Sequence, residues 1–512
     1  MGSLQLAART FAHVPELIAI HASERPHKRA IVQGNAEISY QDLNATTSRI
    51  AAALQRDGVA QGSSIAIVSA STLRATLVFL GAIKAGCVPA PIAPSGSPQQ
   101  IAAMIADSAA PLVFLDAEAK GYLPPLDVQA VSLEELDAWL PAADVQPAPV
   151  IIKPQDSFNI IYSSGTTGTP KGIVHTHGMR WTQISGYAIA QFDEAVTLVA
   201  TPLYSNTTLV SLLPTLAYGG TAVLLGKFDA HEFLVEAQKA RATHTMLVPV
   251  QYQRIMALPD FDTFDLSSFL FKSCTSAPFS AELKGDVVRR WPGLLVEIYG
   301  MTEGGGTCVL MANQYPEKLH TVGQPAPGCD IRLIDEQGNE VAQGEIGEVV
   351  GRSGVMMSGY HGRPDATSAA IWTDAQGLQF IRHGDLGRFD EDGFLTLLGR
   401  SKDMIISGGF NIYPPDIEAV IRQHPDIADC AVIGVPSEAW GETPFAFYVV
   451  KTESVSVDDL IKWVNTRVGK TQRISGAQAI DELPLSAIGK VLKRELRDRF
   501  QTGLPVPSQG VS

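Results

Sequence analysis

The sequence has little cysteine, and its cysteines are scattered. Five occur in 512 residues, an odd number without a CxxC pair: Cys87, Cys274, Cys308, Cys329 and Cys430. This pattern argues against a disulfide framework and against a zinc site built from cysteines. We therefore expect the protein to work in a reducing compartment, the cytoplasm.

Positive charge is also scarce. Lys and Arg number 39 against 53 Asp and Glu, which gives a formal net charge of −14 at pH 7. A chain this acidic has no overall attraction for nucleic acid or for an anionic membrane, and we expect neither as a partner. Phosphate binding, if present, needs a local cluster of donors and cations.

Uninterrupted apolar segments are missing as well. Residues 195–226 carry no charge, but Pro202, Pro214 and the pair Gly219-Gly220 divide them into short pieces. Such pieces are typical of a buried strand, turn and helix and not of a membrane span. The first twenty residues have no basic cluster followed by an apolar run, so we expect no signal peptide.

The composition is that of a folded protein, with 45% apolar and 18% charged residues. Its length exceeds one ordinary core and predicts one large domain and at least one smaller one. Short β-branched runs such as SIAIVSA alternate with amphipathic helical stretches such as TLRATLVFLGAIKAG. This alternation predicts an α/β fold with parallel sheets built from βαβ units.

The texture of the sequence changes twice. We predict a large domain over residues 1–401, with βαβ blocks to about residue 320 and a β-rich subdomain over 321–401 that has short strands between Gly- and Pro-rich turns. A smaller, mobile α+β domain is predicted over 402–500. Residues 501–512, with two prolines among small polar residues, are predicted to be a disordered tail.

The most specific motif is the segment Y-S-S-G-T-T-G-T-P-K-G at residues 162–172. Its glycines let backbone N–H groups approach an anion, its hydroxyls donate hydrogen bonds, and Lys171 adds a positive charge. These are the elements of a phosphate-binding loop. It is not a Walker loop, because Pro170 and Gly172 occupy positions where that motif needs Gly and Ser or Thr.

Four further segments carry suitable chemistry. Tyr299–Glu303 places a hydroxyl and a carboxylate just after a strand, where a divalent cation bridging two phosphates could be held. The segments 383–387 (HGDLG) and 399–403 (GRSKD) add a carboxylate and an arginine suited to ribose and phosphate. Lys490 follows a glycine turn before an amphipathic helix. Alone, the first segment is weak evidence, the next two are more often surface turns, and a lysine like Lys490 is usually solvated.

Taken together and in this order, the five segments resemble the adenylate-forming (AMP-binding) superfamily, of the acyl-CoA synthetase or aryl-CoA ligase type. The resemblance covers about residues 14–500. It implies that a carboxylate attacks the α-phosphate of MgATP to form acyl-AMP and pyrophosphate, and that a thiol then displaces AMP. ATP, Mg²⁺ and coenzyme A would be co-substrates, without a prosthetic group.

The resemblance also implies roles for individual residues. Lys490 would bridge the substrate carboxylate and the α-phosphate, Thr302 would reach the α-phosphate, and Thr166 and Glu303 would lie near Mg²⁺. Asp385 and Arg400 would bind the ribose. The remaining residues expected to bind ATP are Ser163, Ser164, Gly165, Thr167, Gly168, Lys171, Ser276, Ala277, Pro278, Glu297, Tyr299 and Gly300.

For the thiol step, the resemblance places Gly408, Gly409 and Trp440 along the path of coenzyme A, with a hinge at Lys402 and Asp403. The acyl pocket would be walled by Trp181, Tyr204, Gly304 and Gly305. Trp181 and Tyr204 are equally interpretable as core residues. Three consecutive glycines after Glu303 would leave room for a ring or a branched chain.

We therefore expect an apolar monocarboxylic acid, aryl or medium-chain alkyl, as the substrate and free coenzyme A as the acceptor. Arg180 would be the candidate partner of a second carboxylate, but we expect it to face solvent. Two alternatives stay open: a stand-alone enzyme that loads a carrier protein, and a catalytically silent nucleotide-binding regulator. The oligomeric state also stays open, a homodimer being one option.

Overall fold

The computed structural model describes residues 8–162, 170–187, 190–407, 410–438, 440–451, 455–486 and 490–502. Its contacts divide the chain into two compact units. The first unit consists of Met1–Ile331 and Gly351–Ile381, and the second of Arg332–Val350 and Arg382–Ser512. Each unit is described separately below.

The strands of the described residues are, in chain order, β1 (Arg29–Gln33), β2 (Ala36–Ser39), β3 (Ser64–Val68), β4 (Val88–Ile92), β5 (Leu112–Leu115), β6 (Gln129–Ser132), β7 (Ser157–Tyr162), β8 (Gly172–Thr176), β9 (Val196–Val199), β10 (Thr221–Leu224), β11 (His244–Leu247), β12 (Phe271–Cys274) and β13 (Leu294–Tyr299). They continue with β14 (Cys308–Met311), β15 (Gln324–Pro325), β16 (Asp330–Ile334), β17 (Gly347–Arg352), β18 (Gly359–Tyr360), β19 (Ile371–Thr373), β20 (Gln379–Phe389), β21 (Leu395–Arg400), β22 (Ile405–Ser407), β23 (Phe410–Ile412), β24 (Ile427–Ser437), β25 (Gly441–Val450) and β26 (Gly476–Ala479).

The α-helices of the same residues are α1 (Val14–Glu24), α2 (Tyr40–Arg56), α3 (Leu73–Lys84), α4 (Pro98–Asp107), α5 (Ala117–Tyr122), α6 (Leu136–Trp139), α7 (His177–Ser185) and α8 (Asn206–Tyr218). They continue with α9 (Ala230–Ala240), α10 (Pro249–Met256), α11 (Ala281–Arg290), α12 (Pro364–Ala369), α13 (Pro414–Ile421), α14 (Val457–Asn465) and α15 (Lys493–Thr502).

The first unit contains the parallel sheets that the sequence predicts. A nine-stranded sheet runs in the order β15-β14-β13-β12-β11-β9-β10-β1-β2, parallel from β13 through β1 and antiparallel at its two ends. A four-stranded parallel sheet has the order β4-β3-β5-β6. Strands β7, β8 and β18 form a small antiparallel sheet. The α/β prediction is confirmed.

Local sequence explains several boundaries. Strand β4 contains Pro89 and Pro91, which lack N–H donors, and it lies at the edge of its sheet, where an unpaired side is tolerated. Helix α8 begins after Ser205, whose hydroxyl accepts from the N–H of Thr207, and ends at Gly219 with φ +88°. A left-handed backbone conformation at this position is adopted most easily by glycine.

The uncharged segment 195–226 folds as β9, α8 and β10. Within the described part of the chain, no helix combines the length and the apolarity needed to cross a membrane. Helix α8 packs its apolar residues into the core that also contains Leu17, Ile50 and Phe79. The lack of charge in segment 195–226 therefore reflects its burial inside the first unit.

The second unit contains the long hairpin β24–β25, with β22, β23 and β26 in the same sheet. The predicted subdomain 321–401 is divided between the two units, so the functional boundary near residue 402 remains a prediction. The start of the predicted tail needs correction, because Gln501 and Thr502 belong to helix α15. Residues 503–512 lie outside the described residues.

Candidate active site

The phosphate-loop motif begins where β7 ends. The hydroxyl of Tyr162 lies 3.0 Å from both Asp107 Oδ2 and the carbonyl oxygen of Met104, and Arg363 donates to Asp107 Oδ1 over 2.8 Å. These contacts fix the entrance to the motif. The residues Ser163, Ser164, Gly165, Thr166, Thr167 and Gly168 lie outside the described residues.

Lys171, near the end of the motif, contacts Tyr360 of strand β18. The Nζ of Lys171 lies 4.9 Å from the centroid of the Tyr360 ring, a cation–π contact. The hydroxyl of the same tyrosine donates to Oε1 of Glu303 over 2.9 Å. Burial and the neighbouring Glu303 carboxylate raise the pKa of Tyr360, so it stays a neutral donor at physiological pH. One tyrosine thus contacts both the loop lysine and the candidate metal carboxylate.

The turn that carries Thr302 and Glu303 is held through its backbone. The carbonyl oxygen of Thr302 accepts a hydrogen bond from His175 Nε2 over 2.8 Å. The carbonyl oxygen of Glu303 accepts from the N–H of Met357 over 2.8 Å. Strands β8 and β18 and the segment before β18 therefore position this turn, which the sequence could not indicate.

The glycines after Glu303 are required by backbone geometry. Gly304, Gly305 and Gly306 have φ values of +81°, +82° and +93°. A Cβ on Gly304 would lie 1.8 Å from the carbonyl oxygen of Val355, and one on Gly306 would lie 2.5 Å from Ile331 Cδ1. Close packing and left-handed backbone explain this run, and the open pocket wall at Gly304 and Gly305 remains a prediction.

The expectation that Arg180 faces solvent is wrong. Only 1% of its surface is exposed, because helix α7 turns it into the interior. Its guanidinium donates to Asn159 Oδ1 over 3.0 and 3.2 Å, to Gln183 Oε1 over 2.8 Å, and to His175 Nδ1 over 2.7 Å. Periodicity alone did not show which face of this short helix is buried.

The segment predicted to lie beside adenine follows strand β12. Ser276 has φ +81°, an uncommon conformation for a residue with a side chain, and its hydroxyl lies 2.9 Å from that of Thr207 on helix α8. Ala277 is half-buried and Pro278 is exposed. Backbone strain of this kind is often retained at binding sites.

Glu297, on strand β13, has a partner inside the protein. Its buried carboxylate pairs with Lys284, whose Nζ also donates to the carbonyl oxygens of Leu319 and Thr321 over 2.7 and 2.9 Å. Burial raises the pKa of Glu297 to about 7, against the opposing effect of Lys284. Tyr299 and Gly300 follow at the end of the same strand and are half-buried. The predicted ATP contacts of these three residues remain predictions.

In the second unit, Asp385 and Arg400 face each other across the β20–β21 hairpin. Arg400 Nε lies 2.9 Å from Asp385 Oδ1, and its Nη1 donates to the carbonyl oxygen of His383 over 3.2 Å. Gly384 has φ +69°, and a Cβ there would lie 3.6 Å from Arg400 Nη1. The pair predicted to bind ribose is therefore assembled within one hairpin.

The predicted hinge, Lys402 and Asp403, lies in a short 3₁₀ turn just after β21. Asp403 Oδ1 accepts from Arg497 on helix α15 over 2.8 Å. Burial lowers the pKa of Lys402. Lys490 closes a tight turn with Ser486: the Ser486 N–H donates to the Lys490 carbonyl oxygen over 2.7 Å, and the Lys490 N–H donates to Ser486 Oγ over 3.0 Å.

The residues predicted to guide coenzyme A are partly visible. Gly408 and Gly409 lie outside the described residues, but Phe410 next to them is 60% exposed and Trp440 is 61% exposed. Single exposed hydrophobic side chains are normal on a protein surface, so exposure alone does not assign a ligand to either residue. Both remain candidates for contact with a ligand.

The predicted acyl-pocket aromatics differ in environment. Trp181 is 5% exposed and packs in the main core, whereas Tyr204 is half-buried and burial raises its pKa. A small cavity of about 10 Å³ lies between α8 and strands β9, β11 and β12. Phe192, Met246 and Ser273 are among its lining residues, but Trp181 and Tyr204 are not. That space suffices for about one water and not for an aryl ring.

The sequence patterns did not indicate two residues of the site, His175 and Tyr360. Both contact the turn of Thr302 and Glu303 from strands that are 127 and 57 residues away in sequence. A lone histidine and a lone tyrosine carry no motif, so their sequence neighbourhoods gave no signal. Their contribution depends on the β8–β18 pairing of Ile173 with Tyr360.

Comparison with known proteins fits this geometry. The sequence model of the family described as "AMP-binding enzyme" matches residues 18–361, and that of "AMP-binding enzyme C-terminal domain" matches residues 416–490. The chain therefore belongs to the AMP-binding, adenylate-forming enzymes. Within it, the chain falls among the acid–thiol ligases of the AMP-forming CoA ligase type.

Two curated relatives are similar along nearly their whole length. A feruloyl-CoA synthase from Amycolatopsis sp. is 34% identical over 486 residues, covering 93% of this chain and 96% of the relative. An indoleacetate–CoA ligase from Aromatoleum aromaticum is 31% identical over 503 residues, covering 94% and 97%. The crystal structure of ATP-bound MatB from Rhodopseudomonas palustris has a TM-score of 0.83 at 26% identity, covering 96% of this chain and 99% of that one.

Proposed function

We propose that this protein activates an apolar monocarboxylic acid, aryl or medium-chain alkyl, as acyl-AMP and transfers the acyl group to the thiol of coenzyme A. The observation that carries the proposal is the contact of Tyr360 with both Lys171 and Glu303. It joins the end of the phosphate-loop motif to the turn with the candidate metal carboxylate. A cation for phosphate and a carboxylate for a metal ion are what MgATP chemistry requires.

In the first step, an oxygen of the substrate carboxylate attacks the α-phosphorus of ATP. The bond from that phosphorus to the bridging oxygen breaks, and pyrophosphate leaves. Lys171 neutralises phosphate charge, and Lys490 stabilises the charge that builds between carboxylate and α-phosphate, without proton transfer. Thr302 donates to the α-phosphate, while Asp385 and Arg400 hold the ribose.

The residues present are compatible with Mg²⁺. Magnesium prefers oxygen ligands and is usually held by one or two carboxylates together with substrate phosphates. Glu303 is half-buried, and its Oε1 is oriented by Tyr360, while Thr166 would add a hydroxyl. When bound, Mg²⁺ would neutralise charge on the departing pyrophosphate.

In the second step, the thiol sulfur attacks the acyl carbonyl carbon of acyl-AMP, the mixed-anhydride bond breaks, and AMP leaves as the thiol proton is released. The exposed Trp440 and Phe410 and the glycines at 408 and 409 support a path for the pantetheine arm of coenzyme A. A rotation at Lys402 and Asp403 would exchange Lys490 for these residues.

The aryl half of the proposed substrate class has additional support. The two curated relatives described above are named for ferulate and indoleacetate, both carboxylic acids that carry an aromatic ring. Arg180 was the candidate for binding a second carboxylate. Its guanidinium already donates hydrogen bonds to neutral acceptors in the interior. A monocarboxylic acid is therefore preferred over a dicarboxylic one.

The test is a substrate screen with three readouts. Purified protein with MgATP and coenzyme A is given aryl, alkyl and dicarboxylic acids, and pyrophosphate, AMP and thioester are measured. We expect acid-dependent release of all three products, greatest for an apolar monocarboxylic acid. A preference for dicarboxylic acids would contradict the substrate class.

Parallel reactions replace coenzyme A by a phosphopantetheinylated carrier protein. Pyrophosphate release with thioester only on the carrier would favour the carrier-loading alternative. Absence of acid-dependent pyrophosphate release with every acid, while ATP still binds, would favour the silent regulator.

A further inference from the structure

A fully buried cation, Arg180, is linked through His175 to the turn of Thr302 and Glu303. Arg180 is 1% exposed, and its described partners are neutral: Asn159, Gln183 and His175. Its guanidinium also lies 5.7 Å from the ring of Phe158. In the part of the chain that the structure describes, no carboxylate forms an ion pair with it. Burial lowers the pKa of Arg180 to about 9, so it remains charged at neutral pH.

Such an arrangement is poorly suited to stability alone. Transfer of a charge into the protein interior is expensive unless an opposite charge compensates for it. The charge therefore calls for an explanation in what it contacts.

The contact geometry determines the tautomer of His175. Nδ1 of His175 lies 2.7 Å from Arg180 Nη2 and 3.2 Å from Asn159 Oδ1, and the guanidinium also donates to that oxygen. Arginine has only donors, so Nδ1 and Asn159 Oδ1 both accept from Arg180. The ring proton is then on Nε2, which donates to the carbonyl oxygen of Thr302 over 2.8 Å. His175 is completely buried, and burial together with the Arg180 charge lowers its pKa well below the usual value. The neutral imidazole therefore accepts a hydrogen bond from the guanidinium and donates one to the Thr302 carbonyl oxygen.

That peptide joins Thr302 to Glu303, the two residues assigned to the α-phosphate and to Mg²⁺. A rotation of this peptide would displace the Glu303 side chain relative to Tyr360, with which it shares a 2.9 Å hydrogen bond. The guanidinium charge polarises the imidazole and strengthens its Nε2–H donor, because hydrogen bonds in a chain reinforce one another in a low-dielectric interior. The network thus acts on the backbone of the nucleotide site without reaching the nucleotide.

We propose that Arg180 and His175 are positioning residues for MgATP: together they orient the Thr302–Glu303 peptide for the adenylation step. This inference rests on the proposed function, since it assigns MgATP to that turn. It adds two residues that no motif of the phosphate loop includes. It predicts that the pair affects the nucleotide and not the acid.

The test uses equilibrium binding as well as turnover. MgATP binding to the full chain is measured by calorimetry in the absence of acid, together with kcat and the KM values for MgATP and for the acid found in the screen. The variants are His175→Leu, Arg180→Met, their double substitution, and His175→Gln. Glutamine keeps one donor and one acceptor, as the neutral imidazole does. The exposed histidine variant His231→Leu is the matched control.

We expect His175→Leu and Arg180→Met each to raise the Kd and the KM for MgATP roughly tenfold, the effect of losing a buried hydrogen bond, with the KM for the acid changed less than about twofold. The double variant should be no weaker than the worse single variant, because both act through one hydrogen-bond chain. His175→Gln should retain most of the affinity, and His231→Leu should match the original chain.

Three results would overturn the inference. The first is an unchanged Kd for MgATP in the folded single variants, and the second is additive losses in the double variant. The third is loss of the folded state, by circular dichroism, in both single variants, which would make the network a folding element only. Absence of MgATP binding and of acid-dependent turnover in the original chain is a separate outcome and would overturn the proposed function as well.

Discussion

The hydroxyl of Tyr360 donates to Glu303 Oε1 over 2.9 Å, and the ring of the same residue lies 4.9 Å from Lys171 Nζ. The two contacts use different parts of one side chain, and substitutions separate them. Phenylalanine keeps the ring and loses the hydroxyl, whereas leucine loses both.

We expect Tyr360→Phe to raise the KM for MgATP about five- to tenfold, because Glu303 loses a hydrogen bond that orients its carboxylate. Tyr360→Leu should raise it further, since the cation–π contact of Lys171 is lost as well. Steady-state kinetics with varied MgATP measures both effects. Equal effects of the two substitutions would show that the ring contact contributes nothing.

Glu303→Gln is predicted to weaken turnover mainly through the metal, because a neutral amide cannot offset its charge. The Mg²⁺ concentration for half-maximal rate should rise roughly tenfold, and added Mg²⁺ should partly restore the rate. Glu303→Asp is the matched control that keeps the charge. Unchanged turnover at limiting Mg²⁺ would show that the role assigned to Glu303 is wrong.

Asp385→Ala is expected to remove the discrimination between ATP and its 2′,3′-dideoxy analogue. The Asp385 carboxylate, placed by Arg400 at 2.9 Å, is assigned to the ribose hydroxyls, and a charged hydrogen bond of this kind changes affinity roughly 10- to 100-fold. The KM for ATP should rise toward that of the analogue. If the variant still prefers ATP to the same degree, Asp385 does not contact the ribose.

The two half-reactions should separate by mutation. Lys490→Ala should slow acyl-AMP formation by a factor on the order of 10² to 10³, the effect of losing a preorganised charge, while supplied acyl-AMP and coenzyme A still give thioester. Gly409→Leu, outside the described residues, should form acyl-AMP and stall, because a side chain would obstruct the pantetheine arm. Equal slowing of both steps by each substitution would exclude domain alternation.

Lys272 provides a test of stability away from the site. This completely buried lysine of strand β12 donates to the carbonyl oxygens of Pro292, Gly293 and Trp291 over 2.6, 2.8 and 3.1 Å, just after helix α11. Lys272→Met leaves these carbonyls without a donor and should lower the free energy of unfolding by about 2–4 kcal/mol.

Chemical denaturation measures this change. The same substitution at the exposed Lys239, which pairs with Glu236 at the surface, should change the free energy of unfolding by less than about 0.5 kcal/mol. Equal effects at the two positions would show that the carbonyl contacts of Lys272 do not stabilise the fold.

From the sequence alone, the fold class and the family were predictable. The alternation of apolar β-branched runs with amphipathic helices predicts the fold class, and the family follows from the resemblance of five segments, above all the motif at residues 162–172. The Asp385–Arg400 pair belongs to the same category, because one hairpin joins its two members.

Only the tertiary structure decided the surroundings of Glu303. Tyr360 and His175 reach its turn because β18 pairs with β8, a non-local contact that no spacing in the sequence encodes. The burial of Arg180 likewise depends on which face helix α7 turns inward, and a short helix with polar residues on several sides leaves that face undetermined. Motifs determine chemistry that is close in sequence, whereas packing between distant strands determines which side chains orient it.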